Sequence, residues 1–192
     1  MAKRRSALAT IAAGALVLQF GTGSPATEVA LPGDNRLPEP GQDGITEIEW
    51  EDLIPEGYRP EDLLDKYNVA DLADDDPRVG EVMDELREAW NASPVVPTLD
   101  GRQIRMPGLV VPLEGDGETV TEFLLVPYYG ACIHVPPPPA NQTVYVAAKD
   151  GARVRELFDA VWVTGTIHVS SHSSDLAEAG YTLVASRVEP YE

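Results

Sequence analysis

Apolar and polar positions change rhythm several times along this 192-residue chain. Ala7 to Phe20 is almost wholly apolar, with Lys3, Arg4 and Arg5 before it and Ser24-Pro25-Ala26 after it. A basic start, a short apolar run and small residues where a signal peptidase reads predict a secretory signal over 1–26, cleaved after Ala26. The run is too short and wrongly flanked for a spanning helix; an uncleaved anchor is the alternative. No cysteine stands near this boundary, so a lipoprotein is not expected. Residues 27–44, with Pro32, Gly33, Pro38, Pro40, Gly41 and Gly44, predict a flexible tether. In I-T-E-I-E-W-E-D-L-I, residues 45–54, Ile45, Ile48, Trp50 and Leu53 are spaced to anchor the segment on a larger domain. Residues 60–73 predict a short acidic helix opened by Pro60. Residues 77–91 predict a longer one, with Asp76 as N-cap and Pro77 in the first helical position. There Val79, Val82, Met83, Leu86 and Trp90 recur every three or four residues and make one apolar face.

From Val95 the rhythm is that of strands. V-V-P-T-L ends at Asp100-Gly101, a hairpin signal. Q-I-R-M-P-G-L-V-V-P-L predicts a strand pair or one bent strand, T-V-T-E-F-L-L-V a second strand and T-V-Y-V-A-A a third. Arg153 to Ala160 predicts a short helix. V-W-V-T-G-T-I-H-V and Y-T-L-V-A-S-R-V complete the set. Short strands with short connections predict a mainly β fold, a small, mostly antiparallel barrel or sandwich with acidic helices on its N-terminal side. The domain organisation is therefore 1–26 signal, 27–44 tether, 45–93 acidic and partly helical segment packing on the barrel, and 94–192 barrel.

Charge narrows the partners. The chain holds 14 basic and 32 acidic residues, and signal cleavage removes three of the basic ones. Residues 27–93 carry 20 acidic and 5 basic residues, so the excess lies mostly before the strands. Such a surface argues against nucleic acid and against anionic membrane, both of which need a basic footprint. It keeps an exported protein soluble, and weak cation buffering is a sharper alternative. Asp74-Asp75-Asp76 reads as a turn and helix cap, since the spacing of a calcium loop is absent.

The candidate chemistry lies in Y-Y-G-A-C-I-H-V-P-P-P-P-A-N-Q, residues 128–142. Cys132 is the only cysteine, so no internal disulfide is possible. A free thiol outside the cytoplasm must be buried, metal-bound or paired to escape oxidation. On an extended chain Cys132 and His134 point to one face. Thiolate with imidazole suits zinc or copper better than calcium or magnesium. Two ligands are too few for a structural zinc site, so His168, His172, Asn141, an acidic residue or a partner chain would have to contribute. The pair also fits a nucleophile with its base, with Asn141 or Gln142 as the orienting group, or Cys132 is simply a small buried hydrophobe. Pro136, Pro137, Pro138 and Pro139 fix φ, donate no backbone hydrogen bond and favour polyproline II, which makes a stiff ridge for a partner or a tight barrel corner. Tyr128 and Tyr129 read as packing, and His168 and His172 as ordinary exposed histidines.

The long motif P-Y-Y-G-A-C-I-H-V-P-P-P-P-A-N-Q, Pro127 to Gln142, resembles the hallmark of a bacterial family of exported proteins classed as a domain of unknown function. I-E-W-E-D-L-I-P near residue 50, L-D-G-R-Q-I-R-M-P-G-L-V-V-P-L-E at 99–114, V-W-V-T-G-T-I at 161–167 and G-Y-T-L-V-A-S-R-V-E-P-Y at the end resemble it too. The resemblance implies a barrel of oligonucleotide/oligosaccharide-binding (OB) type, a periplasmic location and genes beside ABC-type permeases, some linked to zinc supply. It implies motif roles for Cys132, His134, Asn141 and Gln142 and no established enzyme activity. His168 and His172 lie outside the motif and inherit nothing. Three functions follow as expectations. The first is a periplasmic accessory protein that binds zinc through Cys132 and His134 in support of an envelope ABC transporter. The second is an interaction module built on the Pro136–Pro139 ridge. The third is a thiol-dependent enzyme.

Overall fold

Strand alternation turns one set of side chains inward and closes a barrel around them. A computed structural model describes residues 35–59, 61–67, 76–116, 119–128, 137–154 and 157–191, all within one compact unit, Leu31–Glu192. The strands are β1 (Thr46–Glu47), β2 (Gln103–Gly115), β3 (Thr119–Val126), β4 (Val144–Arg153), β5 (Ala160–His168), β6 (His172–Ser173), β7 (Glu178–Ala179) and β8 (Tyr181–Pro190). The main sheet runs β1-β2-β3-β4-β8-β5, and β2 also pairs with β5. Strands β2, β3, β4, β8 and β5 therefore form a closed five-stranded ring of OB-like topology.

One long strand makes the closure possible. The first half of β2 pairs with β5, from Gln103 opposite Thr166 to Leu109 opposite Ala160. The second half pairs with β3, from Leu109 opposite Val126 to Gly115 opposite Val120. This is the bent strand that the Q-I-R-M-P-G-L-V-V-P-L pattern allowed, with Pro107-Gly108 near the handover. Gly108 is needed there for room: a Cβ would stand 2.5 Å from the Leu125 side chain and 3.0 Å from the Trp50 ring. At the β5–β8 bulge beside Gly165 the approach is tighter, because a Cβ would lie 2.2 Å from the Val184 carbonyl oxygen.

Inward positions form the main core: Ile104, Met106 and Val110 of β2, Phe123 and Leu125 of β3, Val144 and Val146 of β4, Val163 and Ile167 of β5, Tyr181 and Leu183 of β8. Ile48 and Leu53, from the segment read as an anchor, are buried in the same core, and Trp50 packs half-buried against it. A second, smaller cluster lies on the other face of β2 and β3, where Val111, Leu124 and Val126 meet Phe158, Ala177 and Ala179. Burying this apolar surface is the main source of stability.

Tyr181 ties the two ends of the chain together. Its ring is fully buried; its hydroxyl donates to the Leu53 carbonyl at 2.8 Å and accepts from the Val96 N–H at 2.7 Å. Burial holds this phenol far above the ordinary tyrosine pKa.

Helix α2 spans Val79–Asn91 and turns Leu86 fully inward, with Val79, Val82, Met83 and Trp90 half-buried beside it, the face that the periodicity predicts. Asp76 and Pro77 are not the cap and first residue of this helix: it starts at Val79 with Arg78 in the N-cap position, and the Asp76 carboxylate accepts the Arg78 N–H at 2.9 Å in the turn before it. Helix α1 covers Glu61–Lys66 and Tyr67 follows as a turn; Pro60 and residues 68–73 of the predicted 60–73 helix lie outside the described residues, as do 1–26, Asp74 and Asp75.

Two further sequence expectations are corrected. V-V-P-T-L is not a strand: Pro97–Leu99 is a 3₁₀ turn. Pro97 cannot donate to a ladder, and the neighbouring Val96 N–H is taken by Tyr181. The described residues of Arg153–Ala160 are not helical. Arg153 is paired in β4 opposite Thr119, and Phe158 adopts φ 65° to drop its ring into the outer cluster. Pairing is mostly antiparallel, as the short connections suggest, with β1 parallel to β2 and β4 parallel to β8 as the exceptions. Of the predicted tether, residues 35–44 are described. Asn35 donates to the Asp52 and Ile54 carbonyls at 3.1 and 2.7 Å, and Leu37 packs on the main core.

Candidate functional site

Cys132, His134 and Pro136 lie outside the described residues, together with Tyr129 and Gly130. Their flanks are described, and these flanks build a concave surface. On the near side β3 delivers Pro127 and Tyr128. On the far side Pro137–Pro139 lead into a 3₁₀ turn, Ala140–Gln142, and then into β4.

The turn is held by backbone and side-chain hydrogen bonds. The Gln142 N–H donates to the Pro139 carbonyl at 2.8 Å, and the Gly180 N–H donates to the Ala140 carbonyl at 2.7 Å. Asn141 is fully buried, and its Nδ2 donates to the Pro94 carbonyl at 2.8 Å. Its Oδ1 is buried with no hydrogen-bond partner among the described residues. Gln142 Nε2 donates to the Trp50 carbonyl at 2.8 Å and to the Asn141 carbonyl at 3.2 Å. The amide pair of the motif thus fastens the proline segment to Pro94 and to the 3₁₀ turn Trp50–Leu53. Pro138 is buried and Pro137 and Pro139 are half-buried.

Two concavities lie against this segment. The larger, about 430 Å³, is walled by Trp50, Ile54, Pro127, Tyr128, Pro138 and Pro139, with Gln142 also lining it and the exposed carboxylates of Glu49 and Glu51 along it. Tyr128 is 43% exposed. The smaller, about 120 Å³, lies where Pro137 meets Met83, Leu86 and Trp90 of α2. Sequence reading took Trp50 as an anchor and Tyr128 as packing; both also line this groove. The bond between Gln142 and Trp50 spans 92 positions, a proximity that no local spacing reveals. The available signal is that I-E-W-E-D-L-I-P and the proline motif both belong to the same family resemblance.

The two other histidines sit in separate places. His168 Nδ1 lies 3.4 Å from Asp100 Oδ1. The His172 ring stacks on Tyr145 with centroids 3.7 Å apart and planes 9° from parallel. Burial, then a hydrogen bond to the Glu122 carboxylate, pushes the Tyr145 phenol up to about 12. Among the described residues no three His, Cys, Asp or Glu side chains gather as a metal-ligand group, and no helix is long and apolar enough to cross a membrane.

Comparison with known proteins agrees with this architecture. A family described as a protein of unknown function, DUF3299, matches residues 50–190. A crystal structure of a DUF3299 family protein from Pseudomonas aeruginosa PAO1 is 44% identical. It aligns over 77% of this chain and 97% of that one, with a TM-score of 0.60. No match is found among curated proteins. With its barrel, its proline turn and nearly three-quarters of its length covered by the profile, the chain belongs to the DUF3299 family.

Proposed function

We propose that this protein is a docking module that receives an extended, proline-bearing segment of a partner protein in the groove beside Pro138 and Pro139. The observation that carries this reading is the lining: two aromatic side chains, Trp50 and Tyr128, opposite a rigid prolyl wall. Aromatic, prolyl grooves favour polyproline II ligands, which lose little entropy on binding. Glu49 and Glu51 favour a basic residue beside the prolines. The test titrates a Pro-Pro-Ala-Pro-Arg peptide while following tryptophan fluorescence, with Tyr128→Ala as the least disruptive variant. Saturable binding weakened at least fivefold by Tyr128→Ala supports the reading; unchanged affinity refutes it.

A second reading is favoured by Cys132 and His134, the only thiol two residues from an imidazole. Zinc is the metal this donor pair suits, with Asn141 tied back to Pro94 and so already committed through its Nδ2. Calorimetric zinc titration of the protein, Cys132→Ser and His134→Ala decides it: submicromolar binding lost in both variants supports a metal site. Export to the periplasm and service to an envelope ABC permease belong to the proposal as well, resting on residues 1–26 and on the family resemblance. A thiol-dependent enzyme requires Cys132 to alkylate faster at neutral pH than a model thiol.

A further inference from the structure

A third cavity of about 220 Å³ lies between the C-terminal end of α2 and the β6–β7 hairpin, with Ala140 also lining it. Three features of its wall point to one kind of ligand. Asn91, Ala92 and Ser93, the last residues of α2 and its cap, form one side. A helix of 13 residues carries partial negative charge at this end, and the last turn of α2 has no basic residue to compensate it. Opposite stands Glu178, half-buried, its Oε1 accepting the Ser173 hydroxyl across the β6–β7 pair, so the carboxylate is held in place. Between them, Val95 and Val169 supply apolar surface.

We propose that this cavity binds a primary alkylammonium group. An ammonium has three donors and no acceptor, and the cavity offers a fixed carboxylate, the negative end of the α2 dipole and Ser171. The valine surface suits a short methylene stem, which alkylammonium chains lay along apolar walls. A single carboxylate among neutral oxygens suits an organic cation better than a divalent metal, which takes several charged ligands. The proposal is independent of the groove and of the Cys132–His134 site.

The test is an NMR titration of the full chain with n-butylammonium chloride, with n-butanol as the neutral isostere. Saturable shifts at the Ala92, Ser93, Ser171 and Gly180 amides are expected, with n-butanol at least tenfold weaker. Glu178→Gln keeps an acceptor for Ser173 and is expected to weaken binding at least tenfold, while Glu81→Gln, which removes the same charge from the first turn of α2, leaves it unchanged. Asn91→Lys supplies an internal ammonium and is expected to abolish binding. Equal affinity for n-butanol, an unchanged Glu178→Gln, or unsaturable shifts spread over the acidic surface would each overturn the proposal. Titration with 1,5-diaminopentane and with Nα-acetyl-lysine N-methylamide then separates the sources. Tighter binding of the first points to a free polyamine, and of the second to a partner's lysine; both uphold the ammonium chemistry.

Discussion

Replacing Tyr181 by Phe removes one oxygen atom and breaks the joint between the chain's two ends. The ring is fully buried, so packing is preserved and the loss is confined to hydrogen bonds. Two backbone groups are stranded: the Val96 N–H and the Leu53 carbonyl, both on fully buried residues. Each buried polar group left unpaired costs roughly 1–3 kcal/mol, so the expected loss for the two is about 2–6 kcal/mol. For a domain of this size that lowers Tm by about 5–15 °C. Urea unfolding followed by circular dichroism measures it, and the slope with denaturant stays constant because the surface exposed on unfolding does not change. Leu53 closes the 3₁₀ turn that carries Trp50, so the tryptophan emission of the folded state shifts as well. A midpoint within about 0.5 kcal/mol of the parent, an amount ordinary for a surface change, refutes the reasoning.

Gly165→Ala places a methyl against the Val184 carbonyl oxygen and Ala185 Cα, which are backbone atoms that no rotamer change relieves; overpacking of this kind costs about 1–3 kcal/mol, read from the urea midpoint. Gly108→Ala pushes instead on the side chains of Leu125 and Trp50; a smaller loss, about 1 kcal/mol, with weakened binding of the prolyl peptide, is expected from displacement of the groove wall. Alkaline stability follows from the raised phenols of Tyr145 and Tyr181. The unfolded chain loses these protons near pH 10 while the folded one retains them, so stability is full below about pH 10 and falls as pH rises toward 12. Urea midpoints between pH 8 and 12 check this: a flat profile contradicts it, and Tyr181→Phe is expected to shallow the decline.

Local pattern alone determined the strands, the helical face and the motif that marks the site region. Alternation in T-V-T-E-F-L-L-V and V-W-V-T-G-T-I-H-V fixes which residues face inward, because strand side chains alternate with period two. Val79, Val82, Met83, Leu86 and Trp90 fix the buried face of α2, because a helix repeats every 3.6 residues. Composition supplies only an expectation, that nucleic acid is not a partner, because charge sums whatever the fold.

What the sequence left open are contacts between distant segments. V-V-P-T-L is a fair strand by pattern and becomes a 3₁₀ turn because Tyr181, 85 residues away, takes the Val96 N–H. Arg153–Ala160 is a fair helix by pattern, yet Arg153 ends β4 and Ala160 begins β5, because Thr119 pairs with Arg153 and Phe158 finds a cluster to enter. Asn141 and Gln142 look like free amides in the motif, yet their hydrogen bonds to Pro94 and Trp50 make them fasteners of the proline segment. Whether a polar side chain serves the fold or meets a ligand depends on which backbone groups the closed barrel brings within reach of it. Pairing and closure, which join positions far apart in the chain, decide that.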